Sequence, residues 1–154
     1  RLWKTDSGKA QLMAHRLPAF LSQASGPIAA QADDPILTLQ SIRSHDQYNT
    51  SVYSLNDRYR GVSGQRDVVF LNPQDMQALG IREEDRIDLV SAWADGRERR
   101  LHGFKALPFD IPRGQAAAYY PEVNPLIALE SHGDRSFTPT SKFIPVRLRR
   151  PGQN

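Results

Sequence analysis

From residue 36 onward the chain is written almost entirely in short apolar runs separated by turns. Six of them carry the β-branched and aromatic content of strands: "ILTLQSIR" (36–43), "DVVFLN" (67–72), "RIDLVSAW" (86–93), "RLHGFKAL" (100–107), "QAAAYY" (115–120) and "FIPVRLR" (143–149). None is long enough for a helix that buries a wide face. Between two of them "ADGR" (94–97) is a hairpin signal, because Asp-Gly accepts the positive φ that tight hairpin turns require. One helix is legible, in "NPQDMQALGI": Asn72 can cap it, Pro73 suits its first position, Gly80 suits its exit, and Met76 and Leu79 share a face. With about two turns it needs tertiary packing to persist. The expectation is a mainly β domain, a barrel or sandwich with one or two short helices.

The 154 residues suffice for one such domain with a real core. There are no cysteines, which removes disulfides, thiolate metal sites and cysteine nucleophiles and fits a cytoplasmic protein. No apolar run approaches the ~20 residues of a membrane helix, so no membrane insertion is expected. The net charge of +3 is too small and too scattered to argue for nucleic acid as a partner. His15, His102 and His132 show no metal spacing. Residues 1–35, with "TDSGKA" (5–10) and "SQASGPIAAQADDP" (22–35), read as an approach segment with a short extended stretch at 14–20. The domain proper is expected over 36–150, with a tail at 151–154. The first residue is Arg rather than Met, which fits a piece of a longer chain.

The first apolar run delivers the chain into a dense polar patch. Arg43, Ser44, His45, Asp46, Gln47, Asn49 and Thr50 fall within eight positions. Taken by themselves they suit either a loop that satisfies itself through its Ser, Asp and Asn side chains or the rim of a polar ligand site.

Four blocks in order then carry a family resemblance: "LTLQSIRSHDQYNT", "NPQDMQALGIREEDRIDLVS", "DIPRGQAAAYYPEVNPL" and "TPTSKFIPVRL". Together they resemble the C-terminal domain of molybdopterin-dependent oxidoreductases, the group of formate dehydrogenases, nitrate reductases and dimethyl sulfoxide reductase. The opening "WKTDSGKA" is similar to the segment leading into that domain. The tyrosine-rich "YNTSVYSLNDRYRGV" and "AAAYYPEVNPL" look most like the formate-dehydrogenase-like branch. The resemblance implies a six-stranded double-psi β-barrel that closes over bis(molybdopterin guanine dinucleotide) carrying Mo or W. It implies, as partner, an N-terminal catalytic body of the same polypeptide that holds the metal ligand and any iron–sulfur cluster. The domain alone is then expected to have no turnover and no catalytic or metal-ligating residue.

A ligand of that kind presents phosphates, pterins and guanines, whose polar atoms must be paired when buried. The resemblance places the 43–50 patch beside a pterin. Arg43 can meet phosphate or pterin with its planar fork, and Ser44, Gln47, Asn49, Thr50 and His45 can donate to it. It gives Asp75, three residues after Asn72, a two-point contact with a guanine, while plain helix capping explains both residues equally well. It places Tyr119 and Tyr120 against a flat ring, with the alanines before them leaving room, and makes Asn124 and Lys142 ligand contacts. Without the resemblance the alanines are tight barrel packing and Lys142 a solvated lysine. Arg147, Arg149 and Arg150 read as a solvated tail, "RERR" (97–100) as an exposed hairpin flank, and Glu83, Glu84 and Asp85 as an acidic turn without partners. Many family members have Gly-Asp where this chain has Glu84-Asp85. The competing readings are a free-standing double-psi barrel that binds proteins or peptides as an adaptor, and a small barrel decarboxylase, for which a self-processing Gly-Ser pair is lacking.

Overall fold

All six expected strands form, each within one or two residues of the expected bounds. The computed structural model describes residues 3–14, 16 and 34–152. The expected approach segment, with its extended stretch at 14–20, falls mostly outside them. The elements are β1 (Leu37–Ile42), a two-stranded hairpin of β2 (Gln47–Tyr48) and β3 (Ser51–Val52), β4 (Val68–Leu71), α1 (Pro73–Ala78), β5 (Arg86–Ser91), β6 (Arg100–Pro108), β7 (Gln115–Tyr119), a 3-10 turn at Asn124–Leu126 and β8 (Ile144–Arg149). The six longer strands close into a barrel in the order β1-β7-β4-β6-β5-β8. β1 with β7 and β4 with β6 are parallel, and the other four pairings are antiparallel. β7 thus inserts between β1 and β4, which both precede it. This is a double-psi β-barrel.

The period of two in each strand fills the barrel. Leu37 and Leu39, Val69 and Leu71, Ile87 and Leu89, Phe104 and Ala106, Ala116 and Ala118, and Ile144 and Val146 all point into one cluster. Each buried Leu or Ile contributes about 1.5–3 kcal/mol relative to exposure. Ala116 and Ala118 are therefore interior filling opposite larger neighbours rather than room for a ligand. Met76 of α1 packs into the same cluster with Val123 and Leu126. Asn72 caps that helix, its Oδ1 accepting from Gln74 N at 2.8 Å. Gly80 leaves it at φ +65°. A second cluster, Val62, Val68, Phe70 and Tyr119, lies on the outer face of β4 and β7.

Several charged residues depart from expectation. Arg147 is buried, and with Arg149 it grips Asp34 (Arg147 Nε to Asp34 Oδ2, 2.7 Å; Arg149 Nη1 to Asp34 Oδ1, 2.7 Å). These two belong to β8 and not to a solvated tail. The partner lies more than a hundred residues upstream. The acidic turn is also partnered: Glu84 meets Lys105 at 2.9 Å, and Asp85 accepts from Arg82 N at 2.8 Å. Glu84 holds φ +68°, the left-handed backbone that glycine takes without cost. In the "RERR" stretch, Arg99 is largely covered and clasps Asp95 with two bonds (3.0 and 2.6 Å), and Arg100 joins Glu98 at 2.9 Å. His102 Nδ1 lies 2.8 Å from the buried Asp88.

Candidate functional site

The parallel pair of β1 and β7 organises every candidate residue. Its register runs from Thr38–Gln115 to Ile42–Tyr119, so both strands enter at one end of the barrel and leave at the other, roughly 15 Å apart. The candidates divide between these two ends.

At the exit end, three segments are stitched together. Tyr120 N donates to Ile42 O at 2.7 Å, Ser41 N donates to Ser141 O at 2.9 Å, and Lys142 Nζ donates to Ser41 O. Residues 41–49, 120–124 and 141–142 therefore form one surface. Gln47 ties two of them: its Oε1 accepts from Ser44 N (3.1 Å) while its Nε2 donates to Asn49 O (2.9 Å) and to Tyr120 O (2.8 Å). Ser44 is buried and its Oγ accepts from Arg66 at 2.6 Å. Arg43 stays exposed, with Nη2 3.3 Å from Asn49 Oδ1. Asn49 (φ +52°) and Thr50 form the exposed tip of the β2–β3 hairpin. His45 turns toward the following segment, 3.2 Å from Arg58 and edge-on to Tyr59. Beside this surface a groove of about 440 Å³ is lined by Tyr120, Asn124, His132, Phe137 and Ser141 among others. The Asn124 side chain makes no hydrogen bond among the described residues, so its donor and acceptor face the groove free.

Tyr119 does not belong to that surface. It is fully buried, and its hydroxyl donates to Asp57 Oδ2 at 2.9 Å. Burial first, and then the neighbouring Asp57 carboxylate, push its ionisation above the usual phenol range. Asp57 also receives Arg60 at 2.5 Å, and Arg60 reaches back to Arg43 O at 3.3 Å.

At the entry end, Asp75 is nearly buried. Its Oδ1 accepts from Arg113 Nε (2.9 Å) and its Oδ2 from Gly114 N (2.6 Å). Burial opposes its charge, but these two donors outweigh that, and its carboxyl titrates below the usual range. A cavity of about 150 Å³ adjoins it, lined by Pro35, Ile36, Leu37, Asp75, Ala78, Leu79, Arg113 and Gly114. Asn72, three residues away, is spent on structure: besides capping, its Nδ2 donates to Ile111 O at 2.7 Å.

Arg43, Asn49, Thr50, Tyr120, Asn124 and Lys142 are thus brought together at the exit, with Ser44 and Gln47 behind them. Asp75 lies alone at the entry, and Tyr119 and Asn72 are internal. Sequence reasoning missed Arg66, Glu122, Asp57 and Arg113. Arg113 and Glu122 stood inside the quoted "DIPRGQAAAYYPEVNPL" block and Asp57 inside "YNTSVYSLNDRYRGV", whereas Arg66 stood in no quoted motif.

The family model for the molydopterin (molybdopterin) dinucleotide binding domain matches residues 37–128, from the first residue of β1 through the groove-lining Ala128. The chain belongs to that family. The matched span includes both ends of the β1–β7 pair. The molybdopterin dinucleotide-binding domain is also 54% identical over 116 residues to a Mycobacterium tuberculosis protein named uncharacterized oxidoreductase Rv2900c, covering 73% of this chain and 15% of that protein. It is 35% identical over 150 residues to Protein YdeP of Escherichia coli, covering 96% of this chain and 19% of that protein. The chain therefore spans less than a fifth of the length of these relatives. Among the described residues of the domain, no cluster of His, Asp or Glu is arranged to hold a metal ion, and no helix is long and apolar enough to cross a membrane.

Proposed function

We propose that this domain is the C-terminal cofactor-binding part of a formate-dehydrogenase-like molybdenum or tungsten oxidoreductase, closing over one side of bis(molybdopterin guanine dinucleotide). The observation that carries the reading is the pair of polar ends on one parallel strand pair. A dinucleotide with a pterin at one end, a guanine at the other and phosphates between needs two separated polar recognition sites, and the barrel offers them. The donor set fits: Arg43 and Lys142 supply positive charge, Asn49, Thr50 and Tyr120 supply hydrogen-bonding groups, and Asn124 has an unused amide.

At the exit end Arg43, Asn49, Thr50, Tyr120, Asn124 and Lys142 would hold the pterin and its phosphate. Ser44, His45 and Gln47 would shape the loop from behind, and Tyr119 would support it from the core. At the entry end Asp75, its charge maintained by Gly114 and Arg113, would accept from the ring N–H and the exocyclic amine of guanine, a pair of donors that adenine lacks. Asn72 would hold the helix that presents Asp75. When bound, the metal centre supplies two-electron chemistry with transfer of an oxygen atom or hydride. The residues of this chain bind, orient and exclude water. The metal ligand, any iron–sulfur cluster and the site of turnover would lie in an N-terminal catalytic body of the same polypeptide, in the cytoplasm.

The reading is tested in the full-length polypeptide. Asp75→Ala is expected to reduce retention of the guanine dinucleotide form of the cofactor, and Arg43→Ala to lower molybdenum or tungsten content more than folding stability. Wild-type yields of extracted dinucleotide and metal in both variants would overturn the assignment of the two ends.

A further inference from the structure

Arg66 is a buried charge with five hydrogen bonds, all to residues of the two loops that form the exit surface. Its side chain is 6% exposed. Its Nε donates to Glu122 Oε1 at 2.5 Å, and its Nη1 donates to Ser44 Oγ at 2.6 Å. Its Nη2 donates to Tyr120 O at 2.7 Å, to Gln47 Oε1 at 3.0 Å and to Glu122 Oε2 at 3.1 Å. The guanidinium lies over the Tyr119 ring, 4.9 Å from its centroid. Five acceptors on two loops thus converge on one planar fork. One loop leaves β1 and carries Arg43, Asn49 and Thr50. The other leaves β7 and carries Tyr120 and Asn124. Apolar residues of equal volume often serve stability as well as a covered ion pair does. Its directional bonds are what an apolar replacement lacks.

We propose that Arg66 and Glu122 are positioning residues: their half-buried pair fixes the two ligand-bearing loops in one relative register and thereby sets how tightly the pterin end of the cofactor is held. The inference rests on the function proposed above and extends it to two residues bonded behind those assigned to the ligand. Lysine cannot replace the fork, because a single ammonium cannot address Ser44, Gln47, Tyr120 and Glu122 together.

The test uses the full-length protein purified with its cofactor. Pterin release is followed by fluorescence of the oxidised pterin, at a temperature where circular dichroism shows every variant folded. Glu122→Gln, which keeps the shape and one acceptor, is expected to speed release about tenfold, and Arg66→Lys about a hundredfold, by analogy with the range for losing partners behind a metal-binding residue. Arg99→Lys breaks a comparable two-bond clasp, with Asp95, on the β5–β6 hairpin outside both loops, and is expected to release pterin at the wild-type rate. Folded Arg66 and Glu122 variants that release pterin no faster than wild type would overturn the positioning role and leave the proposed function standing. Equal acceleration by Arg99→Lys would also overturn it, by showing that general loosening suffices. A wild-type protein that carries no pterin would overturn the proposed function and this inference together. If Arg66→Lys does not fold, Glu122→Gln alone decides.

Discussion

Where β1 and β7 leave the barrel, the polar side chains are cross-linked to one another through the covered Arg66. Where the same strands enter it, Asp75 meets one backbone N–H and one arginine that is 65% exposed. The exit end is built in advance, its donors and acceptors spent on holding loops, with a few groups such as Asn124 left over. The entry end is a nearly buried carboxylate under an arginine that can swing away. The difference suits the two recognition tasks proposed for these ends. A large ligand with many polar atoms loses less order on binding if the surface is already rigid. A two-point contact with one base edge needs only a charged carboxylate at a fixed place.

The sharpest way to break this contrast is to remove the arginine at each end and compare unfolding by urea. Arg66→Met removes a covered guanidinium with five hydrogen bonds, among them the bond to the buried Ser44, and is expected to cost about 2–3 kcal/mol, within the range for charge-assisted bonds. Arg113→Met is expected to cost less than about 1 kcal/mol, because its partner interaction is solvent-screened. Equal losses at both ends would erase the distinction. Tyr119→Phe probes the layer behind the exit end. It removes one donor from the buried Asp57 and is expected to cost about 1–2 kcal/mol in the same assay.

A smaller effect distinguishes the entry end. Because the folded-state carboxyl of Asp75 titrates below its ordinary value, its contribution is present above the unfolded pKa and is lost as pH falls through the folded one. Melting temperature should therefore fall below about pH 4, and Asp75→Asn should flatten that decline while leaving the plateau near neutrality only slightly lower. An unchanged acid limb in the variant would mean that other carboxylates carry it. The smallest expected change is at neither end. Glu84→Gly relieves the left-handed backbone at φ +68° and should raise the melting temperature by a few degrees or less, despite loss of the exposed contact with Lys105.

The strands and the helix were legible because their cues are local, while the choice of a barrel over a sandwich came from the family resemblance. Alternating apolar pairs such as Leu37 and Leu39 or Ile87 and Leu89 mark strands, and Asn72, Pro73 and Gly80 bracket the helix within one turn of chain. The charged residues were not legible by the same means. Arg66 and Glu122 are separated by 56 positions, and Arg149 and Asp34 by 115, so no window of sequence contains both partners. Arg147 and Arg149 looked like a tail because arginine next to a terminus usually is solvated, and only closure of β8 against β1 and β5 brings Asp34 to them. The polar patch at 43–50 was visible, but not its division of labour. Ser44 and Gln47 have the composition of ligand contacts and the geometry of internal struts, and composition does not separate the two.

A ring of six strands in which each has two neighbours offers no free edge, so no other polypeptide segment can join it by adding a strand. Whatever surrounds this barrel must be met by loops and side chains. Substitutions that refit it to a different neighbour can therefore accumulate in those loops without disturbing a single rung of the ladder between strands.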